Sequence, residues 1–215
     1  LEKNKFNMSL TFEDVIKSNK LKACLWEEGW IDMIYPWHIL EANSMLMKEW
    51  KEAKIDKSVK LKGQVQIEGP VIIKPNVTIE SGSVIKGPCF IGQNTYIGNN
   101  VLLRSNTVLG PESIIGYGCE LKNTVTFGKN DIGRLSFLGD TVIGERTILG
   151  SGLTTVNRLP NQSQISCNIN GVSIQTGLKK LGAFIGDEVQ LGARHTLSPG
   201  TMVPVGKKVP DNITL

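Results

Sequence analysis

Histidine is nearly missing from this 215-residue chain: His38 and His195 are the only two. The four cysteines, Cys24, Cys89, Cys119 and Cys167, share no CxxC spacing. Without a cluster of His, Cys and carboxylates, no metal centre is expected. The thiols read as reduced and structural, which predicts a cytoplasmic chain. No apolar run approaches the roughly 20 residues that span a bilayer, and no signal-peptide pattern opens the chain, so no membrane association is expected. Excess charge is small as well. Against 24 Lys and Arg stand 20 Asp and Glu, a net +4 that is spread along the chain and argues against a nucleic-acid partner.

What the sequence does have is a period. From Leu61 to Phe127 a bulky apolar residue stands at every sixth position: Leu61, Ile67, Ile73, Ile79, Ile85, Ile91, Ile97, Leu103, Leu109, Ile115, Leu121, Phe127. Four residues after each comes a small or β-branched one, among them Val77, Ser83, Cys89, Thr95, Cys119 and Val125. Six is neither a helical nor a strand period, so these residues belong to stacked coils of three hexapeptides each. One bulky and one small side chain per flat side point inward, where Cys89 and Cys119 act as small apolar groups. Ile79, Ile97 and Ile115 should then lie directly over one another. Gly92, Gly98, Gly110 and Gly116 follow the bulky position, where a turn or a close backbone approach requires them.

The first 54 residues have a different texture and read as a separate cap and linker, with a coil domain over residues 55–215. Thr11-Phe12-Glu13-Asp14 predicts a capped helix start, ending near Asn19, and Leu21–Trp26 reads as a short strand. Pro36 opens a second helix through Trp50, with Trp37, Leu40, Met47 and Trp50 on one side. After Phe127 the repeat loses phase, and Lys129–Arg134 is expected to protrude. Coils resume at Leu138, Ile143 and Leu149. A second interruption runs from Asn157 to Lys180, with a hairpin signal at Asn170-Gly171. The repeat returns at Ile185, Leu191, Leu197 and Val203, giving roughly eight coils. Interrupting loops usually carry binding.

The repeat resembles the left-handed parallel β-helix of the hexapeptide acyltransferases, which are trimers with active sites between subunits. The run Arg134-Leu135-Ser136-Phe137-Leu138-Gly139-Asp140, with Ile143-Gly144 and Leu149-Gly150-Ser151-Gly152, is similar to one member of that group. This member is the acetyltransferase half of bifunctional glucosamine-1-phosphate acetyltransferase/N-acetylglucosamine-1-phosphate uridylyltransferase. Gly177–Gly186 is similar to its archaeal versions. Gly29-Trp30-Ile31-Asp32, Pro36-Trp37 and Leu40-Glu41-Ala42-Asn43 resemble the end of the nucleotidylyltransferase domain, as a small α/β remnant. That domain's Gly-rich phosphate loop is not in this sequence. Asp32 matches its metal-binding aspartate without a nucleotide to serve, and Ile34 replaces a glycine. The segment therefore reads as a cap on the first coil, and nucleotidyl transfer by this chain alone is not expected.

The resemblance implies a homotrimer that transfers acetyl from acetyl-CoA to a sugar phosphate in nucleotide-sugar biosynthesis. The family's base is a histidine; Arg134 stands there, and an arginine stays protonated and cannot accept the proton. Phe137 replaces a substrate-holding tyrosine. Arg104 and Lys122 match the sugar-phosphate positions, stacked one coil apart, where a fork and a point charge suit a phosphate. Asn157 matches an asparagine that contacts sugar and acetyl groups. Ser151, Gly152 and Ala193 match the edge along which the pantetheine arm lies, and Lys179 and Lys180 are candidates for coenzyme A phosphates. Whether the chain is an enzyme stays open at this point. The alternative is a non-catalytic module that binds a sugar phosphate or scaffolds a nucleotidylyltransferase. His195 is expected to close the C-terminal coils, and Glu120 and Asp140 to be corner residues.

Overall fold

The computed structural model describes residues 8–212 except Asn19. Contacts divide the chain between Trp30 and Ile31 into two compact units. The first holds one helix, α1 (Met8–Lys17). Thr11 lies within it rather than at its cap, the expected end at Asn19 falls outside the described residues, and Leu21–Trp26 forms no strand. The described part of this unit is thus one helix followed by irregular chain, with no strand.

The second unit is a left-handed parallel β-helix. Two sheets of eight short strands and one of seven, here faces A, B and C in order of first appearance, are followed in rotation. They make seven complete coils and two sides of an eighth. The stacking is the one the period demands: Ile79 pairs with Ile97, and Ile97 with Ile115, each fully buried. Burying one such side chain contributes about 1.5–3 kcal/mol, repeated on three inner walls. At the corners Asn76, Asn94, Asn100 and Asn106 take positive φ, a conformation asparagine tolerates. The glycines after the bulky positions do different work. A Cβ on Gly92 would lie 2.5 Å from the Pro111 nitrogen of the next coil, so they permit close stacking rather than turning the chain.

The phase shift falls earlier than the sequence suggested. Leu121 pairs with Leu138 and Ile115 with Ile132, 17 residues on rather than 18. The corner after Leu121 is one residue short. Thr124 and Thr126 therefore take the inward slots expected for Val125 and Phe127; Val125 faces outward beneath a helix and Phe127 is exposed. The same short corner recurs after Leu138, so Lys129–Arg134 does not protrude: Asp131–Ile132 is an ordinary strand of face B. The inserted loop is as expected, with Ser166–Ile169 and Val172–Gln175 paired antiparallel about Asn170-Gly171. Leu181 N donates to Asn157 O at 3.0 Å, closing the loop where it began.

A second helix, α2 (His38–Lys48), follows a turn at Tyr35–Trp37. The His38 ring accepts from the Ile34 and Tyr35 amides at 3.1 and 3.4 Å. Its apolar side, Trp37 and Leu40, joins Val125, Val142 and Phe184 in a second core. Those three are outward residues of face A, whose outer row is apolar from Phe90 to Met202. That surface explains why α2 lies along face A instead of capping the first coil, where Leu61 remains half exposed. α2 thus belongs to the same compact unit as the coils, which begin at Lys54.

Candidate anion-binding site

Strand register builds this site. On face C the outward position at each strand's end carries Lys86, Arg104 and Lys122 in consecutive coils, about 4.8 Å apart as neighbouring strands are. The next residue in the column is Gly139, opposite Lys122. Its missing side chain leaves room that two others fill. A Cβ there would meet Asn157 Nδ2 at 2.8 Å and Phe137 Cζ at 2.9 Å. Lys86, Arg104, Lys122, Asn106, Asn123 and Asp140 line a cavity of about 370 Å³. The structure thus brings together Arg104, Lys122, Phe137 and Asn157 of the residues expected from sequence.

Asp140 organises the cavity's inner end. It sits at the short corner with φ 50° and its side chain is 8% exposed. Asn123 Nδ2 donates to one oxygen at 2.7 Å and Asn157 Nδ2 to the other at 2.6 Å, while Lys122 Nζ stands 3.9 Å away. Arg104 reaches Glu120 at 2.9 Å. Glu68 stands 3.9 Å from Lys86, so each cation of the column has a carboxylate partner that holds it in place and offsets its charge. Beneath them threonines join Leu121 and Leu138 in the core: Thr124 Oγ1 lies 3.0 Å from both the Lys122 and Leu138 carbonyls and shares its one hydrogen between them, and Thr141 Oγ1 donates to Gly139 O at 2.8 Å. Side chains tied to backbone at both coils give the site a rigid floor.

The remaining residues lie elsewhere. Arg134 is exposed at the opposite edge of face C, at the corner shared with face B, and does not line this cavity. Ser151 and Gly152 stack at that same corner with Ala193 and Arg194: Arg194 N donates to Ser151 O at 2.8 Å, and a Cβ on Gly150 would overlap the Ala193 backbone. Lys179 is exposed on the inserted loop, and Lys180 lines a different cavity under α2. His195 Nε2 lies 2.7 Å from Pro210 O at the C-terminal coils. Sequence reading missed Lys86, which an 18-residue step back from Arg104 would have found, and the roles of Asn123 and Gly139, which depend on the short corner. Among the described residues no group of His, Cys, Asp and Glu could hold a metal, and no helix is long and apolar enough to cross a membrane.

Coil geometry and register define a hexapeptide-repeat protein of the left-handed β-helix type. The chain belongs to the GMPPB C-terminal domain family, whose model matches residues 85–214. A bifunctional sugar-1-phosphate nucleotidylyltransferase/acetyltransferase of Sulfurisphaera tokodaii is 36% identical over 89 residues, 41% of this chain and 22% of that protein. Bifunctional protein GlmU of Methanococcus aeolicus is 30% identical over 205 residues, 94% of this chain and 48% of that one. The chain thus spans at most about half the length of these relatives. Among solved structures, a mutant perosamine N-acetyltransferase from Caulobacter crescentus, crystallised with CoA and GDP-perosamine, has a TM-score of 0.44 at 19% identity, covering 49% of this chain and 53% of that one.

Proposed function

We propose that this chain is an acyltransferase-type protein of nucleotide-sugar biosynthesis that binds a sugar phosphate on face C and transfers acetyl to it from acetyl-CoA. The carrying observation is the Lys86, Arg104, Lys122 column ending at Gly139 beneath Phe137 and Asn157. Stacked cations on a rigid wall fit a phosphate, and the Phe137 ring packed over Gly139 offers the attached sugar an apolar face. The corner at Ser151, Gly152 and Ala193 suits a pantetheine arm, since small side chains let it approach exposed backbone. The outer row of face B carries exposed Tyr96 and Ile114 and, beyond Asp131, Ile148, apolar surface that supports a homotrimer; sedimentation of a monomer at micromolar concentration would contradict this assembly.

A second reading, a non-catalytic sugar-phosphate module, is favoured by one observation: the family's base position holds Arg134, and Asp140 in the cavity already accepts amide hydrogen bonds on both oxygens. The test is release of the CoA thiol from acetyl-CoA with glucosamine-1-phosphate. Turnover that falls with Lys122→Ala supports the transferase. Sugar-phosphate binding without thiol release supports the module.

A further inference from the structure

Face C has a second outward row beside the cation column, along the corner that holds Arg134 and Ser151. It runs Val84, Leu102, Glu120, Phe137 and Thr154 in consecutive coils, and Glu120 is the one charged residue among these five. Sequence reading made Glu120 a corner residue; it opens the strand Glu120–Lys122 instead. It stands three residues after Tyr117, which register sets beside Arg134, and two before Lys122 of the cation column. Glu120 therefore lies between the corner suited to pantetheine and the wall suited to phosphate.

Three carboxylates border that wall, and they are not equally free. Asp140 has amide donors on both oxygens and a side chain only 8% exposed. Glu68 stands beside Lys86, four coils from Phe137 along face C. Glu120 accepts from Arg104 Nη1 through Oε1 at 2.9 Å, and its side chain is 34% exposed. Its Oε2 has no hydrogen-bond partner among the described residues. A phosphate is held best by both arms of a guanidinium, so its arrival on Arg104 displaces Glu120. What remains is a carboxylate without its cation, flanked by Leu102 and Phe137.

We propose that Glu120 is the proton acceptor for acetyl transfer, a role Arg134 cannot fill, and that a phosphate on Arg104 releases it. The inference rests on the transferase reading of face C and names a catalytic residue for it. The sugar's amino or hydroxyl group attacks the thioester carbonyl carbon, forming an N–C or O–C bond. The C–S bond breaks, and its electron pair leaves on the coenzyme A sulfur. The nucleophile's proton passes to Glu120 and then to that thiolate, so the step closes with no further reactant.

The experiment compares wild type, Glu120→Gln and Glu120→Asp by CoA thiol release from acetyl-CoA with glucosamine-1-phosphate, and by calorimetry with that sugar phosphate. Glu120→Gln should lose at least roughly 10²-fold in kcat, as removal of a general base does. It should bind the sugar phosphate as well as wild type or up to about fivefold tighter, because one exposed ion pair no longer competes. Glu120→Asp, which keeps the carboxylate, should fall between the two in rate. A residue that only holds the fold would lose rate and affinity together. The inference is overturned if Glu120→Gln keeps the wild-type kcat, or if its affinity falls with its rate. If wild type binds the sugar phosphate and releases no thiol, the transferase reading itself fails, and this inference with it.

Discussion

Asn157 donates its amide to Asp140 Oδ2 at 2.6 Å, tying the first residue of the inserted loop to a coil corner 17 residues earlier. Asn123 holds the other oxygen at 2.7 Å. Asp140→Ala strands both amide donors at a nearly buried place and should cost about 2–3 kcal/mol. Asp140→Asn keeps the volume and suits the positive φ, so its loss should be smaller. Urea denaturation midpoints measure both.

Ile97 lies between Ile79 and Ile115 with no solvent contact. Ile97→Ala should destabilise by about 2–5 kcal/mol. Leu61→Ala, at the half-exposed end of the same inner row, should cost well under half of that. Equal losses would mean the row does not continue as described.

Burial pushes the Cys89 thiol from 9.0 up to about 12, and raises those of Cys119 and Cys167, while Cys24 is exposed. A thiol-reactive dye at pH 8 should label one cysteine quickly and all four only after denaturation. The pH dependence follows. Because the folded value lies above the unfolded one, the Cys89 contribution is complete below pH 9 and drains away as pH rises from about 9 towards about 12, the unfolded chain ionising first. Cys89→Ser should flatten that fall.

Arg134 sits exposed at a corner, so Arg134→His should leave the melting temperature unchanged. An imidazole there, neutral above about pH 6.5, restores a proton acceptor. CoA thiol release should rise by roughly 10²–10⁴-fold. No gain in a variant that still binds both substrates would remove this corner from the chemistry.

Much of this was legible in the amino-acid order because one residue type per six decides which side faces in. The coils, the Asn170-Gly171 hairpin and the pairing of Arg104 with Lys122 on one wall all follow from it. The short corner after Leu121 was not legible, since a period of six continued by chance through Val125 and Phe127. Only the register, Leu121 opposite Leu138, moves them outward and creates the Asn123–Asp140 contact. The destination of α2 was hidden for another reason: an apolar helix side suits a coil end, and the apolar outer row of face A from Phe90 to Met202 emerges only once the strands are in register.

Calorimetric titration of glucosamine-1-phosphate into wild type and Lys122→Glu tests the cation wall most directly. Saturable binding in the first, lost in the second while its circular dichroism stays that of the folded β-helix, is the predicted result. Equal affinity in both proteins would contradict the placement of the phosphate on this column.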